Sequence, residues 1–173
     1  MFFELIATIV AGFAGAGIAL LLNKVLGGRL PRWITPVAAG MAMLATTIAN
    51  EYGWYGRTAA ALPAGLEVAT TVENKAFYRP WTYIFPFVSR FLAVDTATMR
   101  TNEALPGQRM VEVYAFGRWT APQSRLVMVD CAGGRRADIA RGAEFGEDGS
   151  VDTLAWRDTG LDDPVVKTAC RGS

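Results

Sequence analysis

The chain carries no histidine among its 173 residues, and that absence removes more chemistry than any residue present supplies. Nucleophilic triads of the Ser-His or Cys-His kind and most catalytic zinc sites draw on imidazole, as does histidine-ligated haem. The two cysteines, Cys131 and Cys170, form neither a CxxC redox pair nor a four-cysteine metal site, and no CxxCH stands ready to attach haem. Their remaining chemistry is to join each other. In an oxidising compartment a Cys131–Cys170 disulfide is expected, and two buried free thiols fit better only if the domain faces the cytoplasm.

Other groupings are weaker. Glu144, Glu147, Asp148 and Asp152 crowd around Gly146 and Gly149 and offer oxygen ligands for calcium, but their spacing does not match an EF-hand loop and a solvated acidic hairpin is the plainer reading. Gly12, Gly15 and Gly17 resemble a phosphate loop in composition only; they lie inside an apolar run and read as packing residues. Arg135 and Arg136 follow Gly133 and Gly134 and could hold an anion, although a solvated turn is the plainer reading. No catalytic residue, cofactor or metal is therefore expected, and an enzyme built on carboxylates and arginine alone is the least favoured class.

The stretch from Asn74 to Asp95 is different in kind. It gathers Phe77, Tyr78, Trp81, Tyr83, Phe85, Phe87 and Phe91 around Pro80 and Pro86, with Arg79 and Arg90 among them. Aromatic residues and arginine dominate interface hot spots, and one small sheet face has little room for so many rings. Arg79, Trp81, Tyr83, Phe85 and Phe87 are the expected partner-docking residues. The plainer alternative is core plus a membrane-facing belt.

These groups are positioned by two very different parts of the chain. Residues 1–52 read as a transmembrane helical hairpin with helices over about 2–22 and 33–50. The first apolar run has one charge, Glu4, and at the helical rise it spans about 31 Å, close to the hydrocarbon thickness; the second spans about 26 Å. The first run lacks the basic flank of a secretory signal, so it is expected to remain as an anchor. Ala7, Ala11, Gly15 and Ala19 recur at four-residue spacing, with Thr8, Gly12 and Ala16 beside them, and the second helix answers with Ala38, Ala42 and Thr46 and with Ala45 and Ala49. Such rows let helix backbones approach closely, either within the hairpin or against a partner's helix. Lys24, Arg29 and Arg32 fall in the elbow while Glu4 and Glu51 lie at the outer ends. The positive-inside rule then puts the elbow in the cytoplasm and both termini in the periplasm of a bacterial inner membrane. Tyr52, Trp54 and Tyr55 are placed at the outer interface.

Residues 53–65 read as an interfacial connector and 66–173 as a periplasmic α+β domain. From Arg57 onward there are 14 basic and 14 acidic side chains, the 17 and 16 of the whole chain less Lys24, Arg29 and Arg32 and less Glu4 and Glu51. A neutral domain is a poor partner for nucleic acid or anionic lipid. Strands are expected at Leu66–Glu73, Ser89–Asp95, Arg109–Trp119, Arg125–Cys131, Arg135–Ile139 and Val151–Trp156, with a hairpin break at Ala121–Ser124 where Pro122 sits. Asp162 or Asp163 caps a closing helix whose first residue is Pro164. Strands without βαβ alternation predict a small antiparallel sheet with a C-terminal helix.

The expected function is that of a non-catalytic accessory subunit of a larger inner-membrane complex, plausibly respiratory or photosynthetic, whose partners are an integral membrane protein complex and the bilayer, with no small-molecule substrate. A membrane-anchored periplasmic assembly or quality-control factor that binds a client transiently is the alternative.

Overall fold

A computed structural model of the chain describes residues 2–75, 77, 79–102, 105–139 and 154–171, with the backbone alone at Trp81 and Asn102. The chain divides into two compact units, Met1–Gly56 and Arg57–Ser173.

In the first unit α1 covers Phe2–Val25 and α2 covers Ile34–Ala60. α1 is the one described helix that is long and apolar enough to cross a membrane by length and composition. Of its most apolar window only 11% is buried within the protein, so Phe3, Phe13, Leu21 and their neighbours face outward. α2 does not stop near residue 50. It continues to Ala60, through the segment expected to be a connector, because residues 51–60 contain no proline and their alanines extend a helix readily. That continuation brings Glu51 and Arg57 into the helix, which lowers its mean hydropathy. Between the helices Gly27 and Gly28 take positive φ angles of 68° and 77°. This left-handed turn lets the Gly28 N–H reach back to the Asn23 carbonyl oxygen at 2.8 Å, while the Asn23 side chain accepts from Leu30 N–H at 2.9 Å.

In the second unit six strands run β1 Leu66–Asn74, β2 Phe87–Asn102, β3 Leu105–Gly117, β4 Thr120–Asp130, β5 Arg135–Asp138 and β6 Arg157–Asp158. They form one antiparallel meander in sequence order. Val94, Val111, Val113, Val127 and Val129 alternate toward one face and are buried there against Val165, Val166 and Ala169 of α3, Pro164–Cys170. The sheet curls about this helix, which touches β1, β2, β3 and β4. Asp163 caps α3 by accepting from the N–H groups of Val165 and Val166 at 2.9 and 3.2 Å. Pro164 follows where its missing N–H costs nothing.

Three strand boundaries differ from expectation for identifiable reasons. β4 starts at Thr120 and passes through Pro122, because β5 pairs only with Val127–Asp130 and leaves the outer edge of residues 120–126 without a ladder to interrupt. β2 runs on beyond Asp95 by way of a bulge: the Asp95 carboxylate accepts from Ala97 N–H, Thr98 N–H and the Thr98 hydroxyl, and pairing with β3 resumes at Arg100. The sixth strand is Arg157–Asp158, not Val151–Trp156; Leu154 and Trp156 are described outside any strand, and residues 151–153 are outside the described part.

Candidate functional site

Two stretches place the candidate groups at one end of the sheet. The β1–β2 connection leaves Asn74, which pairs with Phe87, and the tight β3–β4 turn leaves Gly117, which pairs with Arg90. The Arg118 N–H donates to the Ser89 carbonyl oxygen at 3.1 Å and ties the two together. This end is opposite the one at which the chain enters β1 from Gly65. Nine residues of strand at about 3.3 Å each separate the two ends by about 30 Å.

The connection itself is held by a short 3-10 turn, Pro80–Tyr83. Thr82 is its fixed point, 1% exposed, with its hydroxyl donating to the Arg79 carbonyl oxygen at 2.7 Å. Anchoring one small residue turns the larger ones out: Phe77 is 86% exposed, Ile84 73%, Phe85 67% and Tyr83 59%. Leaving large apolar side chains in water forgoes about 1.5–3 kcal/mol each relative to burial, and a concentration of them in one connection suits an interaction site.

The aromatic stretch is thus divided. Phe91 belongs to the interior, fully buried, with its ring stacked on Phe116 at 4.7 Å between centroids. Phe87 is half-buried, Tyr83 and Phe85 are exposed, and Arg79 is only partly so. Tyr78 and the side chain of Trp81 lie outside what the structure describes. One member escaped the sequence reading: Trp119, 62% exposed in the β3–β4 turn, with the Arg118 guanidinium 4.9 Å from its ring centre. Its signal was a lone tryptophan inside a hairpin turn, and only strand pairing brings it to the same end as Phe85.

The helix-packing residues are also sorted. Of the row Ala7, Ala11, Gly15 and Ala19, Ala7 is exposed, Ala11 and Gly15 are half-buried and Ala19 is buried; Thr8, Gly12 and Ala16 of the adjoining row share the covered face. A Cβ at Gly15 would fall 2.7 Å from both the Ala38 carbonyl oxygen and the Ala42 Cβ, and one at Gly12 would fall 2.9 Å from Met43. α1 therefore meets α2 along parts of both rows. On α2, Ala38, Ala42 and Thr46 are half-buried, whereas Ala45 and Ala49 are exposed; Trp54, expected among interfacial residues, is 6% exposed.

Cys131 and Cys170 are joined, with their Cα atoms 5.8 Å apart. The bond clips the end of β4 to the end of α3. Beside it Asp130 is buried at the start of the β4–β5 turn. Burial by itself would raise its carboxyl pKa, but the Arg135 guanidinium at 2.6 Å and the N–H groups of Gly133 and Ala132 outweigh it and hold the carboxyl below its usual value. Arg135 also lies 5.3 Å from the Trp156 ring centre. Of the two arginines considered for an anion, Arg135 is thus committed to Asp130, while Arg136 points to the other face of the sheet. Glu144, Glu147, Asp148 and Asp152 are outside the described residues. No protein-family model, curated protein or solved structure matches this chain.

Proposed function

We propose that the chain is a non-catalytic accessory subunit of a larger bacterial inner-membrane complex, plausibly respiratory or photosynthetic. In this reading α1 and α2 form a transmembrane hairpin, with the Lys24, Arg29 and Arg32 elbow in the cytoplasm and the sheet domain in the periplasm. The nearly all-round apolar surface of α1 supports the anchor. The Cys131–Cys170 disulfide fits an oxidising compartment.

The observation that carries the proposal is the exposed group of Phe77, Tyr83, Ile84, Phe85 and Trp119 at the end of the sheet remote from the entry of the chain. Exposed rings of this kind suit a protein surface that supplies pockets for them.

Purification in mild detergent tests this. A stoichiometric companion is expected with the wild-type chain and its loss with Tyr83→Ser/Phe85→Ser, the double variant remaining folded by circular dichroism. A substoichiometric companion would favour an assembly factor, and full retention by the double variant would refute docking through this end.

A further inference from the structure

The face of the sheet that receives α3 is not filled by it. Beyond the helix a cleft of about 250 Å³ opens over β2, β3 and β4, floored by Leu92, Val113 and Val127. Its lining includes three arginines from three different strands: Arg125 of β4, Arg136 of β5 and Arg157 of β6. Among the described residues Asp138 is the one carboxylate that lines it.

The arrangement of these arginines is costly for an empty protein. Arg136 and Arg157 are directly opposite each other across the β5–β6 pair, where like charges destabilise a sheet. Arg136 is steadied by Asp163, the cap of α3, at 3.5 Å. Among the described residues no carboxylate forms an ion pair with Arg125 or Arg157. Among the described residues the lining is three to one basic.

From this geometry we infer that the cleft between β2, β3, β4 and the Arg125–Arg136–Arg157 wall binds a small organic anion: a phosphoryl or carboxylate head attached to a short apolar body. The guanidinium fork matches the oxygens of such a head in bidentate fashion, and the valine and leucine floor receives the carbons next to it. The volume sets the size. Whole small-molecule ligands occupy pockets of about 300–1,000 Å³, so a cleft of about 250 Å³ takes a head group and a few carbons, with any longer tail outside. This reading goes beyond that of an accessory subunit and replaces the expectation that no small molecule is bound; it does not depend on the aromatic end.

The test is isothermal titration calorimetry of the full chain in nanodiscs of zwitterionic lipid, with empty discs subtracted and hexyl phosphate as probe. Saturable binding is expected, with hexanol showing none and inorganic phosphate binding more weakly than hexyl phosphate. Arg125→Gln/Arg157→Gln should weaken hexyl phosphate by about tenfold or more, while Arg157→Lys, which keeps charge but loses the fork, should fall between. Arg157→Gln should also raise the melting temperature of the ligand-free chain, since it removes the repulsion from Arg136. Repeating the titration in discs containing phosphatidylglycerol separates two sources of the anion: suppressed binding identifies a lipid head group as the occupant, and unchanged binding a soluble one. The inference is overturned if wild type shows no saturable binding up to about 10 mM, a range that covers even weak sites. It is equally overturned if hexanol binds as well as hexyl phosphate, or if the folded double variant binds like wild type.

Discussion

The guanidinium of Arg109 donates to the carbonyl oxygen of Ala169 at 2.9 Å, joining the middle of β3 to the last turn of α3. Arg109 is 9% exposed, and the same Nη1 also lies 3.9 Å from the Met99 sulfur. A helix as short as α3 has almost no stability of its own; a buried cation on its terminal carbonyls is therefore part of what keeps it seated. Arg109→Met retains most of the packing and removes the donor, leaving a buried carbonyl unsatisfied. A loss of about 1–3 kcal/mol is expected, read as a lower midpoint in thermal unfolding of the full chain in mild detergent. An unchanged midpoint would mean that α3 is held by its valines alone.

The disulfide acts on the same helix from the other side. It joins Cys131 and Cys170 across a sequence separation of 39, for which the chain-entropy account gives about 4 kcal/mol. Cys170→Ser should lower the melting temperature by many degrees, and treatment of the wild type with reductant should do the same. If reductant leaves the melting curve where it was, Val165 and Val166 carry the attachment without help.

Asp130 makes stability depend on pH in a predictable direction. Its folded-state pKa lies below the ordinary carboxylate value, so its contribution is fully present above about pH 5 and is lost as the pH falls through the folded pKa. Asp130→Asn keeps an acceptor for Ala132 and Gly133 but not the charge opposite Arg135. Because Arg135 is 42% exposed, solvent weakens the pair, and a loss of about 1 kcal/mol is expected near neutrality. The difference between wild type and variant should shrink toward pH 3. A difference that stays constant across acid titration would assign the effect to packing.

Gly15 and Gly17 form an internal control for helix contact. A side chain at Gly15 runs into Ala38 and Ala42, whereas one at Gly17 meets nothing within 4 Å. Gly15→Leu should destabilise the helical unit by about 1–3 kcal/mol through overpacking, and Gly17→Leu should be nearly silent in detergent melting. Equal effects would show that the α1–α2 contact does not determine the stability of this unit.

Signals carried by neighbours in sequence were legible in this chain. Leu66 to Val72 reads as a strand and is one, although a bulge between Val68 and Thr70 breaks its alternation, so that Ala69 packs on the core and Val72 is exposed; Asp163 and Pro164 announce the start of α3; Gly27 and Gly28 mark the turn after α1; and two lone cysteines left one bond to form. Each depends on local geometry, a period of two or 3.6 or a turn that only certain residues enter, and local geometry is written in consecutive residues. Pairing across strands is not. Whether Pro122 breaks a strand depends on how far β5 extends beside it. Phe91 is interior because it lies on β2 stacked against Phe116, and Phe85 is exposed because it lies in the connection that follows the 3-10 turn anchored by Thr82, although both are phenylalanines in one aromatic run. Arg125, Arg136 and Arg157 are far apart in sequence with no motif among them, and they share a cleft only because the meander brings β4, β5 and β6 side by side in one register. Composition and spacing determined which elements this protein has, and the tertiary structure alone decided which side chains meet, since register sums many weak contacts that no short stretch contains.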